Sequence, residues 1–184
     1  MNPAIQHELV IFRRLLSSRF AREHLGGKDD RITLFNELLQ KFPGERFLWH
    51  RLVSTYRAEG TLAEARHALE EANRVVGVDP PLARYELLTL KDEACDLRTA
   101  ANEQERIAKL RTALQRATKL IDRFREDKYM YDAYAQIAYE LLARGERNPT
   151  RDGVLAFLTL AKKEVLDPDF DSILARTITK LKAM

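Results

Sequence analysis

The chain has 184 residues, of which 45% are hydrophobic and 32% are charged, and its formal net charge is +3. This composition is typical of one folded domain and excludes a disordered chain. The single cysteine, Cys95, excludes an internal disulfide and a cysteine-based metal cluster. No apolar run approaches the roughly 18 residues that span a bilayer, so we expect no membrane segment and a reducing, cytoplasmic location.

Apolar residues recur three and four positions apart throughout the chain and nowhere alternate, which predicts an all-α fold without strands. About nine helices are expected, over residues 3–25, 30–42, 45–59, 61–76, 80–100, 103–126, 129–144, 150–166 and 168–182. Asn102 is expected to cap the helix that follows it. Thr61 and Glu64 have the spacing of a capping box, in which each side chain accepts from the other residue's N–H.

The helix expected over residues 103–126 has the most regular apolar seam of the chain. Its apolar residues are Ile107, Leu110, Leu114, Ala117, Ile121 and Phe124. Such a seam is typical either of a coiled coil with a second chain or of a helix hairpin. The hairpin is favoured because residues 80–100 carry a matching seam and the connection is short. The register between residues 80 and 128 is left open.

Residues 46–80 form the most informative segment. They combine small and large residues at the spacing Trp49, Leu52, Tyr56, Gly60, Ala65, Leu69 and Ala72. This segment resembles a tetratricopeptide repeat, in which two antiparallel helices meet at a tight turn. It departs from the family pattern at Val53, where a smaller residue is usual, and at Gly77, where a proline is usual. Looser matches before and after it extend the resemblance to nearly the whole chain, so residues 1–184 are expected to form one solenoid of stacked helix hairpins.

The resemblance implies a non-catalytic scaffold or sensor domain, which also occurs as an arm of larger proteins. In such arrays the first helices of successive hairpins line a concave groove that binds a peptide or protein segment. Mapped onto this sequence by spacing, the groove residues are His50, Ser54, Arg57, Lys91, Arg98, Asp132 and Tyr139. Most of the charged groups in this set are cationic, so an acidic partner segment is expected. A monomer or a weak homodimer is the expected assembly.

Residue patterns typical of enzymes are weak in this chain. The four histidines are scattered over three expected helices without the paired spacing of metal ligands. Gly26-Gly27-Lys28 lacks the spacing and the preceding strand of a phosphate loop. We therefore expect no catalytic activity, no metal and no cofactor.

Nucleic-acid binding is the alternative function. Four basic residues lie on one flank of the helix over residues 103–126, within about a third of its circumference: Lys109, Arg116, Lys119 and Arg123. An exposed stripe of this kind could hold phosphates. We rank this alternative second because no aromatic residues, on which bases stack, are interleaved with the stripe.

Overall fold

The computed structural model of the chain describes residues 27–96 and 102–184. These residues form eight α-helices, which are α1 Lys28–Lys41, α2 Arg46–Ala58, α3 Leu62–Val76, α4 Pro80–Cys95, α5 Glu103–Arg123, α6 Lys128–Ala143, α7 Arg151–Glu164 and α8 Phe170–Lys182. The described part contains no strand, and the all-α prediction is confirmed. The helix expected over residues 3–25 lies outside the described residues. The expected ends at residues 100 and 126 are too late, because α4 ends at Cys95 and α5 at Arg123.

Side-chain caps account for several helix starts. The carboxylate of Asp79 accepts from the N–H of Leu82, and Pro80 occupies the first position of α4. Asn102 caps α5 by accepting from the Glu105 N–H at 2.9 Å, as the sequence predicts.

The capping box expected at the start of α3 is wrong. Thr61 stands at the cap position, but its side chain makes no cap hydrogen bond there. The hydroxyl instead donates to the carbonyl oxygen of Tyr56 at 2.9 Å, at the end of α2. A threonine hydroxyl can bond to either neighbouring stretch of backbone, and here it closes the turn around Gly60, whose φ of 74° favours glycine.

The chain divides into two compact units between Gly77 and Val78. The described part of the first unit contains α1, α2 and α3, in which α2 packs against both neighbours. Leu52, Val53 and Ala65 are buried between these helices. Trp49 is half-buried, and its indole N–H donates to the carbonyl oxygen of Pro43 at 2.8 Å. The single-domain organisation stays a prediction.

The second unit contains α4 to α8, and its helices follow one packing rule. Each helix packs against the next one along the chain, and α6 also packs against α4 and α8. Tyr131 on α6 is 1% exposed, and its ring lies 5.8 Å, between centroids, from both Phe157 on α7 and Phe170 on α8. The buried face of α6 therefore organises the core of this unit.

The apolar seams of α4 and α5 meet within the chain. Leu87 on α4 and both Leu110 and Ala117 on α5 are fully buried in one hydrophobic cluster. Arg116 also forms an ion pair with Glu86 across the two helices. The structure thus shows the hairpin that the sequence favours over an intermolecular coiled coil.

Candidate functional site

A polar cavity of about 340 Å³ lies in the second unit, between α4, α6 and α8. Its lining residues are Lys91 from α4, Asp132, Gln136, Tyr139 and Glu140 from α6, and Ile173, Arg176, Thr177 and Lys180 from α8. All three helices alternate along the chain with α5 and α7, which do not line it. The volume is at the lower end of the range for small-molecule sites, so it suits one ligand group or one inserted side chain.

One wall of the cavity is a chain of hydrogen bonds between α4 and α6. The ammonium of Lys91 donates to the side-chain oxygen of Gln136 at 3.1 Å, and the amide nitrogen of Gln136 donates to Asp132 at 3.0 Å. Lys91 also lies 3.3 Å from the carboxylate of Asp92, and Arg84 lies 3.6 Å from Asp132. Gln136 therefore bridges the ammonium of Lys91 and the carboxylate of Asp132 in the wall.

Asp132 is a buried carboxylate, with a relative exposure of 5%. Burial raises the pKa of this carboxyl group, although the hydrogen bond from Gln136 and the charges of Arg84 and Lys91 act in the opposite direction. The sequence predicts Asp132 as a contact residue in the groove, and the structure places it in the cavity wall with partners of its own.

A second polar cluster lies beside the cavity, around Glu140. The guanidinium of Arg144 donates to the Glu140 carboxylate at 2.6 Å, and the same carboxylate lies 3.6 Å from the Cys95 sulfur. Burial, followed by the negative charge of Glu140, raises the pKa of the Cys95 thiol to about 11. The thiol is therefore protonated at neutral pH and is a poor nucleophile.

The wall formed by α8 carries two cations, Arg176 and Lys180. Arg176 and Lys180 are exposed, and within residues 27–96 and 102–184 neither forms an ion pair. The ammonium of Lys180 lies 5.1 Å from the ring centroid of Tyr139, a cation–π contact. Thr177 lies between them in sequence, is 7% exposed and lines the floor.

Three of the seven predicted groove residues, Lys91, Asp132 and Tyr139, line this cavity together. His50, Ser54 and Arg57 are half-buried on α2 in the first unit. Arg98 lies outside the residues that the structure describes. The cavity thus contains one part of the predicted set, and Lys91, its predicted cation, already has partners.

Sequence reasoning missed the residues of α8. The spacing of apolar residues in that helix predicts its core face, but nothing in the sequence pairs its polar face with α4 and α6. The one sequence feature that could have indicated this part of the site is the pair Arg176 and Lys180, which are four residues apart and therefore lie on one side of a helix.

The basic stripe proposed for nucleic acid is partly neutralised. The ammonium of Lys109 lies 3.0 Å from Glu105, and Arg116 forms two hydrogen bonds with Glu86, at 2.6 and 3.1 Å. The hydrogen bond from Arg116 to Glu86 raises the arginine's pKa. Lys119 and Arg123 are exposed, so two of the four cations face solvent without a carboxylate partner in the described part of the chain.

Comparison with protein-family models, with curated protein sequences and with solved structures finds no match for this chain. Among the described residues, no helix has the length and apolar content needed to cross a membrane. The same residues contain no group of three or more His, Cys, Asp or Glu side chains placed to hold a metal ion.

Proposed function

We propose that the chain is a tetratricopeptide-like helical-repeat scaffold that binds an acidic segment of a protein partner without catalysing a reaction. The binding site is the cavity between α4, α6 and α8. The observation that carries this proposal is that Arg176 and Lys180 face the cavity without a carboxylate partner among the described residues.

The packing order of the second unit supports a solenoid of helix hairpins. Helices α4 and α5 form one hairpin, α6 and α7 form the next, and α8 follows as the first helix of a third. In addition to its neighbours in sequence, each first helix packs against the next first helix, so that α4 contacts α6 and α6 contacts α8. This order is what stacked two-helix repeats produce. The cavity consequently lies on the face formed by the first helices, where the family's groove is expected.

Charge supports an acidic ligand. The other charged groups of the lining are held by opposite charges: Lys91 by Asp92, Asp132 by Arg84, and Glu140 by Arg144. The charge left for a ligand is that of Arg176 and Lys180. Arginine suits carboxylates because its planar guanidinium can donate two parallel hydrogen bonds.

A displayed random-peptide library tests the proposal, selected in parallel on three forms of the full chain. The first form is unchanged, and the second carries Arg176→Glu and Lys180→Glu. The third carries Arg147→Glu and Lys163→Glu, which alter the net charge equally at exposed cations outside the cavity lining. The unchanged chain and the Arg147/Lys163 variant should enrich the same peptides, rich in Asp and Glu, and the cavity variant should lose them.

Two results would contradict the proposal. Equal enrichment by all three forms would place peptide binding away from the cavity. Equal loss in both charge-reversed variants would show that net charge alone retains the peptides. Far-UV circular dichroism of each variant checks that the helices remain folded.

No observation raises nucleic-acid binding above this proposal. The stripe on α5 retains only Lys119 and Arg123 without carboxylate partners in the described part of the chain. Two phosphate contacts give a weak salt dependence, because the slope of binding against salt follows the number of contacts.

A further inference from the structure

The cavity holds a pair of like charges that form no ion pair with any residue the structure describes. Arg176 and Lys180 are four residues apart on α8, so their β-carbons are about 6 Å apart. Like charges at this spacing destabilise a helix slightly. The three ion pairs of the surrounding wall are neutral in sum, so these two cations determine the charge that a bound group experiences.

The polar groups next to these cations can donate hydrogen bonds. Thr177 contributes a hydroxyl to the lining and Tyr139 a phenol. The two carboxylates in the lining are already partnered, Asp132 by Gln136 and Glu140 by Arg144. A ligand group at α8 therefore meets hydrogen-bond donors and two positive charges.

A guanidinium and an ammonium on side chains one helical turn apart, lining the same cavity, can both contact a group with two negative charges and several acceptor oxygens. One carboxylate carries a single charge and two oxygens, and it would leave one cation uncompensated. A phosphate monoester carries close to two charges at neutral pH and three acceptor oxygens. We infer that the cavity binds a phosphate monoester presented by the partner segment, as a phosphoserine or phosphothreonine side chain, held by Arg176 and Lys180. This inference rests on the proposed function, because it specifies the acidic group that enters the same cavity.

Three probes test the inference by NMR titration of the full, isotope-labelled chain. They are a capped pentapeptide of four alanines with a central phosphoserine, the same peptide with a central glutamate, and inorganic phosphate. The phosphoserine peptide should bind about fivefold more tightly than the glutamate peptide, since the second charge adds roughly 1 kcal/mol at contact distance in water. The shifted amide signals should lie in α6 and α8.

The substitutions Arg176→Gln and Lys180→Gln should each weaken the phosphoserine peptide about fivefold, since each removes one charge contact. Lys163→Gln on α7 is the matched control and should leave the affinity unchanged. All three positions are exposed, so folding is retained in each variant, which the NMR spectra check directly.

The outcomes separate the inference from the proposed function. If the glutamate peptide binds as tightly as the phosphoserine peptide, the phosphate is refuted and an acidic segment still enters the cavity. If no peptide shifts the signals of α6 and α8, both are refuted. If inorganic phosphate binds as tightly as the phosphoserine peptide, the ligand is a free phosphate group and the partner segment is refuted as its source.

Discussion

The ion pair between Arg116 and Glu86 joins α5 to α4, and a double-mutant cycle can measure its contribution to stability. The Nε and Nη2 atoms of Arg116 donate to the two carboxylate oxygens of Glu86, at 2.6 and 3.1 Å. The cycle compares Glu86→Gln, Arg116→Gln and the double variant with the unchanged chain. It isolates the pair from the other contacts of each residue.

The expected coupling follows from geometry and exposure. At the 2.6 Å contact, two unit charges attract by about 1.6 kcal/mol in the dielectric of water. The side chain of Arg116 is 41% exposed and that of Glu86 is 22% exposed, so solvent screens the pair and ordering both side chains costs entropy. Exposed pairs contribute about 0.2–1 kcal/mol. The two-point geometry places this pair near the upper end, at about 0.5–1 kcal/mol.

Urea unfolding followed by far-UV circular dichroism gives the free energy of unfolding of all four proteins. The coupling should fall in about 1 M NaCl, where the screening length is only about 3 Å. Lys119→Gln on the same helix, without an ion pair in the described part of the chain, should change stability by less than about 0.5 kcal/mol. A coupling indistinguishable from zero at low salt, or one that grows with salt, would refute this account of the α4–α5 contact.

Three further predictions each concern one side chain of the second unit. Tyr131→Phe removes the hydrogen bond from the phenol to the carbonyl oxygen of Arg125, at 2.9 Å. This variant should lower the free energy of unfolding, measured by urea titration, by about 1 kcal/mol. Tyr131→Ala, which also removes the buried ring, should lower the free energy of unfolding by at least about 3 kcal/mol. Because burial raises the pKa of Asp132 in the fold, the contribution of this group to stability should fall as pH rises above about 4, the unfolded value. Asp132→Asn should therefore gain stability relative to wild type between pH 3.5 and pH 7 in urea titrations, and a relative loss would contradict the burial argument. With a pKa of about 11, Cys95 should react with iodoacetamide at pH 8 on the order of a hundredfold more slowly than an exposed cysteine. Mass spectrometry can follow this reaction. Glu140→Gln should speed the reaction, because it removes the negative charge that raises the pKa of the thiol.

The helices could be predicted from the sequence because their determinants are local. The apolar periodicity of α5 and the cap at Asn102 depend on residues within a few positions of each other. The capping box predicted at Thr61 is wrong because the partner of this hydroxyl is not decided locally. Its hydroxyl had two backbone partners within reach, and the choice of Tyr56 depends on the turn that α2 and α3 make together.

The candidate site could be predicted only in part. Lys91, Asp132 and Tyr139 line the cavity together, and the repeat spacing could group them because it predicts which positions of α4 and α6 share one face. Arg176 and Lys180 could not be assigned, since their place depends on the packing of α8 against α6. Charge counting could not show that Arg116 is neutralised, because its partner Glu86 is 30 residues away in sequence.

The position of α8 links ligand binding to the local stability of this helix. Among the described helices, this one packs chiefly against α6 and α7, so we expect its local opening to disturb the α4–α5 hairpin least. A group bound between α6 and α8 should oppose the opening of α8, because opening would have to release the bound group. Binding should then slow amide hydrogen exchange in α8 more than in α4 or α5. The affinity for the proposed ligand and the resistance of α8 to local opening should therefore change together, because both depend on the same binding free energy.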